Sequence, residues 1–140
     1  KKYRNIQGTY PVISLSFANV KEPTYQLEEK KICELIAQLY VKYDFITESG
    51  KLRDTEVKLY KKIMTDMEYV DATLSLYYLS GFLYKYYGKK VIILLDEYDT
   101  PMQEAFVDGY WDELVTFTRS LFNATFKTNK YCIDGLPNRN

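Results

Sequence analysis

Apolar and polar positions alternate in blocks along the chain, and the blocks predict an order of elements before any composition is counted. Residues 10 to 17, YPVISLSF, are rich in β-branched and aromatic residues and read as one buried strand, with Pro11 tolerated at its first residues. From Leu27 the apolar positions Ile32, Leu35, Ile36, Leu39, Tyr40 and Tyr43 recur at three- and four-residue steps, which predicts an amphipathic helix. Glu48-Ser49-Gly50-Lys51 breaks that pattern. A second helix is expected from Asp54 or Thr55, with a thin face of Val57, Leu59 or Tyr60, Ile63 and Met67, and a third from Asp71, burying Leu74, Tyr77, Tyr78, Phe82 and Tyr86 until Gly88.

Val91 to Leu95 are five apolar residues without alternation, the pattern of a strand covered on both faces in a parallel sheet. Thr100-Pro101-Met102-Gln103 then reads as N-cap, N1 proline and N3 glutamine of a short helix closed by Gly109. A longer helix, from about Tyr110 to Phe126, is expected to face inward with Leu114, Phe117, Leu121, Phe122 and Thr125. Cys132 to Asn140, CIDGLPNRN, reads as a fraying tail. Strand, three helices, strand and two helices describe an α/β fold with few strands for its mass of helix.

Composition narrows the chemistry. The 140 residues fit one domain, and 19 basic against 19 acidic residues leave no net charge to steer the whole chain toward a polyanion. The absence of histidine excludes imidazole chemistry, and the two cysteines, Cys33 and Cys132, give neither a disulfide framework nor a metal-ligand spacing. Cys33 reads as a packed residue. The lysine pairs at 30 and 31, 61 and 62, and 89 and 90 read as solvated surface. No apolar run is long enough to span a bilayer, and a cytoplasmic, non-membrane setting is expected.

The chemically loaded stretch is VIILLDEYDT, residues 91 to 100, where Asp96, Glu97 and Asp99 follow the apolar run. Ligands of open parallel sheets gather beyond the C-terminal strand ends, where Asp96 and Glu97 would lie. A strand of type VIILLD is the usual setting of a Walker B carboxylate, with Asp96 as Mg²⁺ ligand on bound nucleotide and Glu97 orienting the attacking water. Asp99 suits local backbone amides and Thr100 a helix cap. No G-x-x-x-x-G-K-[ST] occurs in the sequence. Two other functions fit parts of the pattern: a non-catalytic interaction or scaffold domain, and a metal-dependent nuclease using Asp96, Glu97 and Asp99 directly.

Together YPVISLSF, LYKYYGKKVIILLDEYDTPMQEA and GYWDELVTFTRSLFNATFKTN resemble the AAA-ATPase-like family of bacterial and archaeal P-loop proteins, often fused to a PD-(D/E)XK nuclease-like domain. The resemblance covers about residues 8 to 130, and the D-E-Y-D-T-P block carries most of it. It implies a partial P-loop NTPase-like parallel sheet flanked by helices, with the phosphate-loop and sensor strands absent, so that residues 1–140 form a fragment of one domain with a flexible tail at 131–140. It further implies ATP and Mg²⁺ as cofactors of the complete domain and no activity of the chain alone. Asp96 carries over as metal ligand and cofactor-binding residue, Glu97 as the catalytic glutamate. Nucleotide is the expected ligand, an exposed sheet edge the route to a homo-oligomer, and a fused nuclease-like domain the route to nucleic acid.

Overall fold

A computed structural model describes residues 10 to 133. Strand β1 (Val12–Ser16) is followed by helix α1 (Tyr25–Lys42), a short 3-10 turn (Asp44–Glu48), α2 (Asp54–Thr65), α3 (Tyr69–Tyr87), β2 (Ile92–Asp96), α4 (Asp99–Asp108) and α5 (Trp111–Phe126). The mixed α/β architecture and the element order agree with the sequence pattern. The strands are parallel, in a register running from Val12 opposite Ile92 to Ser16 opposite Asp96, so both C-terminal ends finish side by side.

Burial separates the two strands. In β2, Ile92, Ile93 and Leu95 are buried and Leu94 half-buried, close to the continuous apolar strand expected. β1 instead alternates, burying Ile13 and Leu15 while Ser14 and Ser16 are exposed, so it is not buried throughout. Ile13, Leu15, Phe17, Ile93 and Leu95 join the main core with residues of every helix. That core therefore lies on one face of the sheet.

A further parallel connection forms on the other edge of β2. The Ile92 N–H bonds toward β1, to the Pro11 carbonyl at 2.9 Å, whereas the Val91 N–H bonds to the Tyr131 carbonyl at 2.8 Å and the Val91 carbonyl accepts from the Ile133 N–H at 3.0 Å. Neighbouring residues of a strand direct their backbone groups to opposite edges, so β2 lies between β1 and residues 131 to 133. Cys132 and Ile133, expected to fray, thus lie beside Val91 at the start of β2, with Ile133 hydrogen-bonded to it. Residues 134 to 140 lie outside the described residues.

Helix boundaries follow local chemistry more closely than apolar faces do. Gly88 and Gly109 close α3 and α4 with φ of 71° and 84°, in the left-handed region that glycine occupies without a Cβ clash. Helix α1 starts at Tyr25, two residues before Leu27, because the Thr24 Oγ1 accepts the Leu27 N–H at 3.3 Å. Helix α4 starts at Asp99 rather than at Pro101, with Tyr98 at its N-cap, so Thr100 is inside the helix and does not cap it. Pro101 then falls at the third helical position, where its missing N–H costs no intrahelical bond.

The largest difference concerns α3. Its buried positions are Ala72, Thr73, Ser75, Leu76, Leu79, Ser80, Phe82 and Leu83, whereas Leu74, Tyr77, Tyr78 and Tyr86 are only half-buried. Small residues let this helix approach its neighbours, principally α5. The Ser75 and Ser80 hydroxyls return hydrogen bonds to the carbonyls of Ala72 and Tyr77, so their burial leaves no unmet donor. The tyrosines take the margins. Tyr40 and Tyr60 are fully buried, with the Tyr60 hydroxyl donating to the Tyr40 carbonyl and the Tyr40 hydroxyl to the Ser75 carbonyl at 2.6 Å, a relay that ties α2 to α1 and α1 to α3. Helix α2 otherwise buries only Ile63, in keeping with its thin predicted face.

Candidate functional site at the strand ends

The last residue of β2, Asp96, is exposed and stands in register with exposed Ser16 of β1. Residues paired across a sheet present their side chains on the same face, so a carboxylate and a hydroxyl share the C-terminal rim. The Asp96 backbone is fixed independently of its side chain, since its carbonyl accepts the Phe17 N–H at 2.9 Å. Ser16 Oγ accepts the Ala18 N–H at 3.3 Å, which holds the hydroxyl against the turn leaving β1.

Glu97 is exposed, and its backbone has φ of 53°. A residue with a Cβ pays about 1 kcal/mol for the left-handed region, and such strain persists where the surroundings impose it. Here they do: β2 ends at Asp96, α4 begins at Asp99, and the Thr100 N–H bonds to the Glu97 carbonyl at 3.2 Å. A chain that leaves a strand and enters a helix within two residues must turn sharply, and Glu97 is the turning residue. Tyr98 anchors the turn beneath, its ring edge-on to Phe122 of α5 at 6.0 Å. Asp99 lies exposed in the first turn of α4, where its charge complements the positive end of the helix dipole.

The described residues contain no group of three or more His, Cys, Asp or Glu side chains arranged to hold a metal ion. Asp96, Glu97 and Asp99 are therefore neighbours in sequence that do not converge as a ligand set. Asp96 and Ser16 offer hard oxygen donors of the kind that suit Mg²⁺, which keeps several waters and takes few protein ligands when phosphate oxygens complete its shell. The donor set fits that ion in such an arrangement.

A second group of residues borders the rim, and the sequence pattern passed over it. Glu28 in the first turn of α1 has a fully buried side chain. Its Oε1 accepts the Glu22 N–H at 2.9 Å, and its Oε2 has no hydrogen-bond partner. The Glu22 carbonyl accepts from the Tyr110 hydroxyl at 2.6 Å. The backbone at Glu22, in the loop after β1, is thus gripped at both ends, by a carboxylate from α1 and a phenol from the α4–α5 corner. Burial drives the Glu28 carboxyl up to about 7 against the partial compensation of the Glu22 N–H, with the Glu22 and Glu104 charges pushing the same way as burial. Tyr110 is raised above the usual phenol range, first by burial and then by the Glu28 charge. A signal existed: Glu28, Ile32 and Ile36 lie on one row at four-residue spacing, so a charge sat on the apolar face.

The cysteines and lysines carry no comparable chemistry. Burial pushes the half-buried Cys33 thiol up to about 11, which disfavours the thiolate. Lys62 pairs with Glu68 and Asp71, while Lys89 and Lys90 precede β2 and lie at the end away from Asp96.

A family model described as "Predicted AAA-ATPase" matches residues 1–135, nearly the whole chain. The chain belongs to this AAA-ATPase-like family. Neither a curated protein nor a solved structure matches it. Among the described residues, no helix is long and apolar enough to cross a membrane.

Proposed function

We propose that the chain provides the Walker B edge of an ATP-binding and ATP-hydrolysing P-loop module. Asp96 is the Mg²⁺-holding carboxylate in this reading and Glu97 the residue that orients the attacking water. The observation that carries it is the pairing of an exposed Asp96 at a parallel strand end with a strained Glu97 immediately after it, within a family of predicted ATPases.

The two acids divide the labour by position. Asp96 ends a strand whose backbone is paired with β1, so its carboxylate is carried by a rigid element, as a metal-holding group requires. Magnesium, when bound, offsets the charge of the phosphate oxygens and of the transition state. Glu97 lies one residue further, past the strand end, and its left-handed backbone turns it away from the strand path followed by Asp96. Its carboxylate can there accept a hydrogen bond from water while the Asp96 carboxylate faces the cation. Ser16 adds a hydroxyl on the neighbouring strand that can bind a coordinated water. In this reading the phosphate grip comes from residues outside the motifs found in this sequence, and fusion to a nuclease-like domain belongs to the same proposal.

The test uses the full-length protein. Glu97→Gln should lower ATP hydrolysis by about 100-fold, about 3 kcal/mol in the barrier, while Mg²⁺-ATP binding persists. Asp96→Asn should weaken Mg²⁺-dependent binding itself. Failure of the folded full-length protein to bind Mg²⁺-ATP would overturn the reading in favour of a scaffold domain.

A further inference from the structure

Beyond the strand ends, helix α4 turns an apolar ridge outward. Phe106 is 75% exposed, Val107 77% and Trp111 44%, values at odds with side chains that drive burial elsewhere in the chain. The Phe106 and Trp111 rings meet edge-on at 6.2 Å, so the ridge is preorganised. On one side of them Met102 and Val107 line an open groove of about 450 Å³ that reaches Asp99.

Along α4 and into α5 the chain carries one sign of charge. Between Lys90 and Arg119 the sequence carries seven carboxylates and no Lys or Arg. Asp99, Glu104 and Asp108 lie on α4, and Asp112 and Glu113 on the first turn of α5. No ion pair involves any of these five among the described residues. Glu104 and Asp108 stand four residues apart on one helix face, a spacing at which like charges repel. Each interaction between them raises the Glu104 carboxyl, with Lys21 the one cation lowering it. Such a surface repels polyanions and leaves its apolar ridge without cover from the described chain.

We propose that the α4 ridge is a docking surface for a basic amphipathic helix of a protein partner, whose apolar side chains would seat against Phe106, Val107 and Trp111 and whose lysines or arginines would meet the carboxylate rim. Charge complementarity selects this occupant. A second copy of the chain has no net positive charge to offer, while a basic helix relieves the repulsion between Glu104 and Asp108 and covers the ridge together. The surface is separate from the nucleotide chemistry, so it stands whether or not Asp96 and Glu97 act as proposed.

Trp111 is the sole tryptophan, so its fluorescence reports the ridge directly. The probes are two synthetic helical peptides with the same leucine face, one with lysine and the other with glutamate at its polar positions. The lysine peptide should shift Trp111 emission to the blue in a saturable way that weakens with salt, and the glutamate peptide should not. Phe106→Ser should weaken the lysine peptide at least about tenfold, because one large anchor carries much of such a contact. Val41→Ser, on the exposed side of α1, should leave it unchanged. Indifference to the lysine peptide, equal binding of both peptides or equal loss in the two variants would overturn the proposal. Self-association in sedimentation that Phe106→Ser abolishes would assign the ridge to a second copy instead, and would overturn it equally.

Discussion

Two sets of acids flank the same end of the sheet and solve opposite problems. Asp96 and Glu97 are exposed, and what is costly about them is backbone: the chain accepts a left-handed glutamate to turn from strand to helix. Glu28 sits on a relaxed helix, and what is costly about it is solvation, because its carboxylate is sealed with one oxygen unmet. The acids proposed to meet a ligand are left open and positioned by the main chain. An acid sealed under a loop can serve the loop itself, here by holding the Glu22 N–H while Tyr110 holds the Glu22 carbonyl. Solvent exposure therefore separates the acids proposed for chemistry from the acid built into the architecture, although they look alike in the sequence.

The sharpest way to break this distinction is to neutralise each acid in turn. Beyond the loss of hydrolysis expected above, Glu97→Gln should leave the melting temperature unchanged, since the exposed carboxylate has no ion-pair partner among the described residues. A large loss of stability would place Glu97 with Glu28 as an architectural acid.

Glu28→Gln should do the reverse and act on stability with a defined pH dependence. The folded carboxyl titrates at about 7 and the free side chain at 4.5. Between those values the native state holds a proton that the unfolded chain releases, so stability contributed by protonated Glu28 is complete below 4.5 and is lost as pH rises to about 7. The glutamine has no proton to lose. The stability difference between variant and native chain should move in favour of the variant by about 1–2 kcal/mol from pH 4.5 to 8, less than the full conversion of the shift because the protein relaxes around a charged Glu28. Denaturant melts at the two pH values measure it, and a pH-independent difference would contradict a sealed carboxyl.

Tyr110→Phe removes the second half of the grip without altering the ring. It should cost about 1 kcal/mol in the same melts, the net worth of one hydrogen bond, and it should speed amide exchange in the loop after β1 more than in the helices. The smallest effect belongs to Glu97→Gly, where relief of the left-handed backbone competes with the greater freedom of glycine in the unfolded chain. A change within about 0.5 kcal/mol is expected, and a loss above about 2 kcal/mol would show that the side chain supports the turn.

Much of the fold was legible because it is written in short-range signals. Gly88 and Gly109 ended their helices where expected, and Leu114, Phe117, Leu121 and Thr125 are the buried face of α5 that their spacing predicts. The apolar run before Asp96 gave β2 and its exposed acidic end. The face of α3 was misread because aromatic residues outweigh alanine and serine in any hydrophobic pattern, whereas close helix packing prefers the small ones. Tyrosine also carries a hydroxyl, and all six tyrosines of α3 stay exposed or half-buried, where it can reach water.

The sequence by itself determined the elements, their order and the place of the acidic turn, since these depend on periodicity and on residues within a few positions of one another. Tertiary structure alone decided the register that puts Ser16 beside Asp96 in the parallel pair, that Tyr131 to Ile133 return to the far edge of β2, and that Glu28 is sealed while Phe106 is not. Those outcomes join residues dozens of positions apart. Their energies come from which surfaces meet, and no local pattern encodes the identity of the surface on the other side.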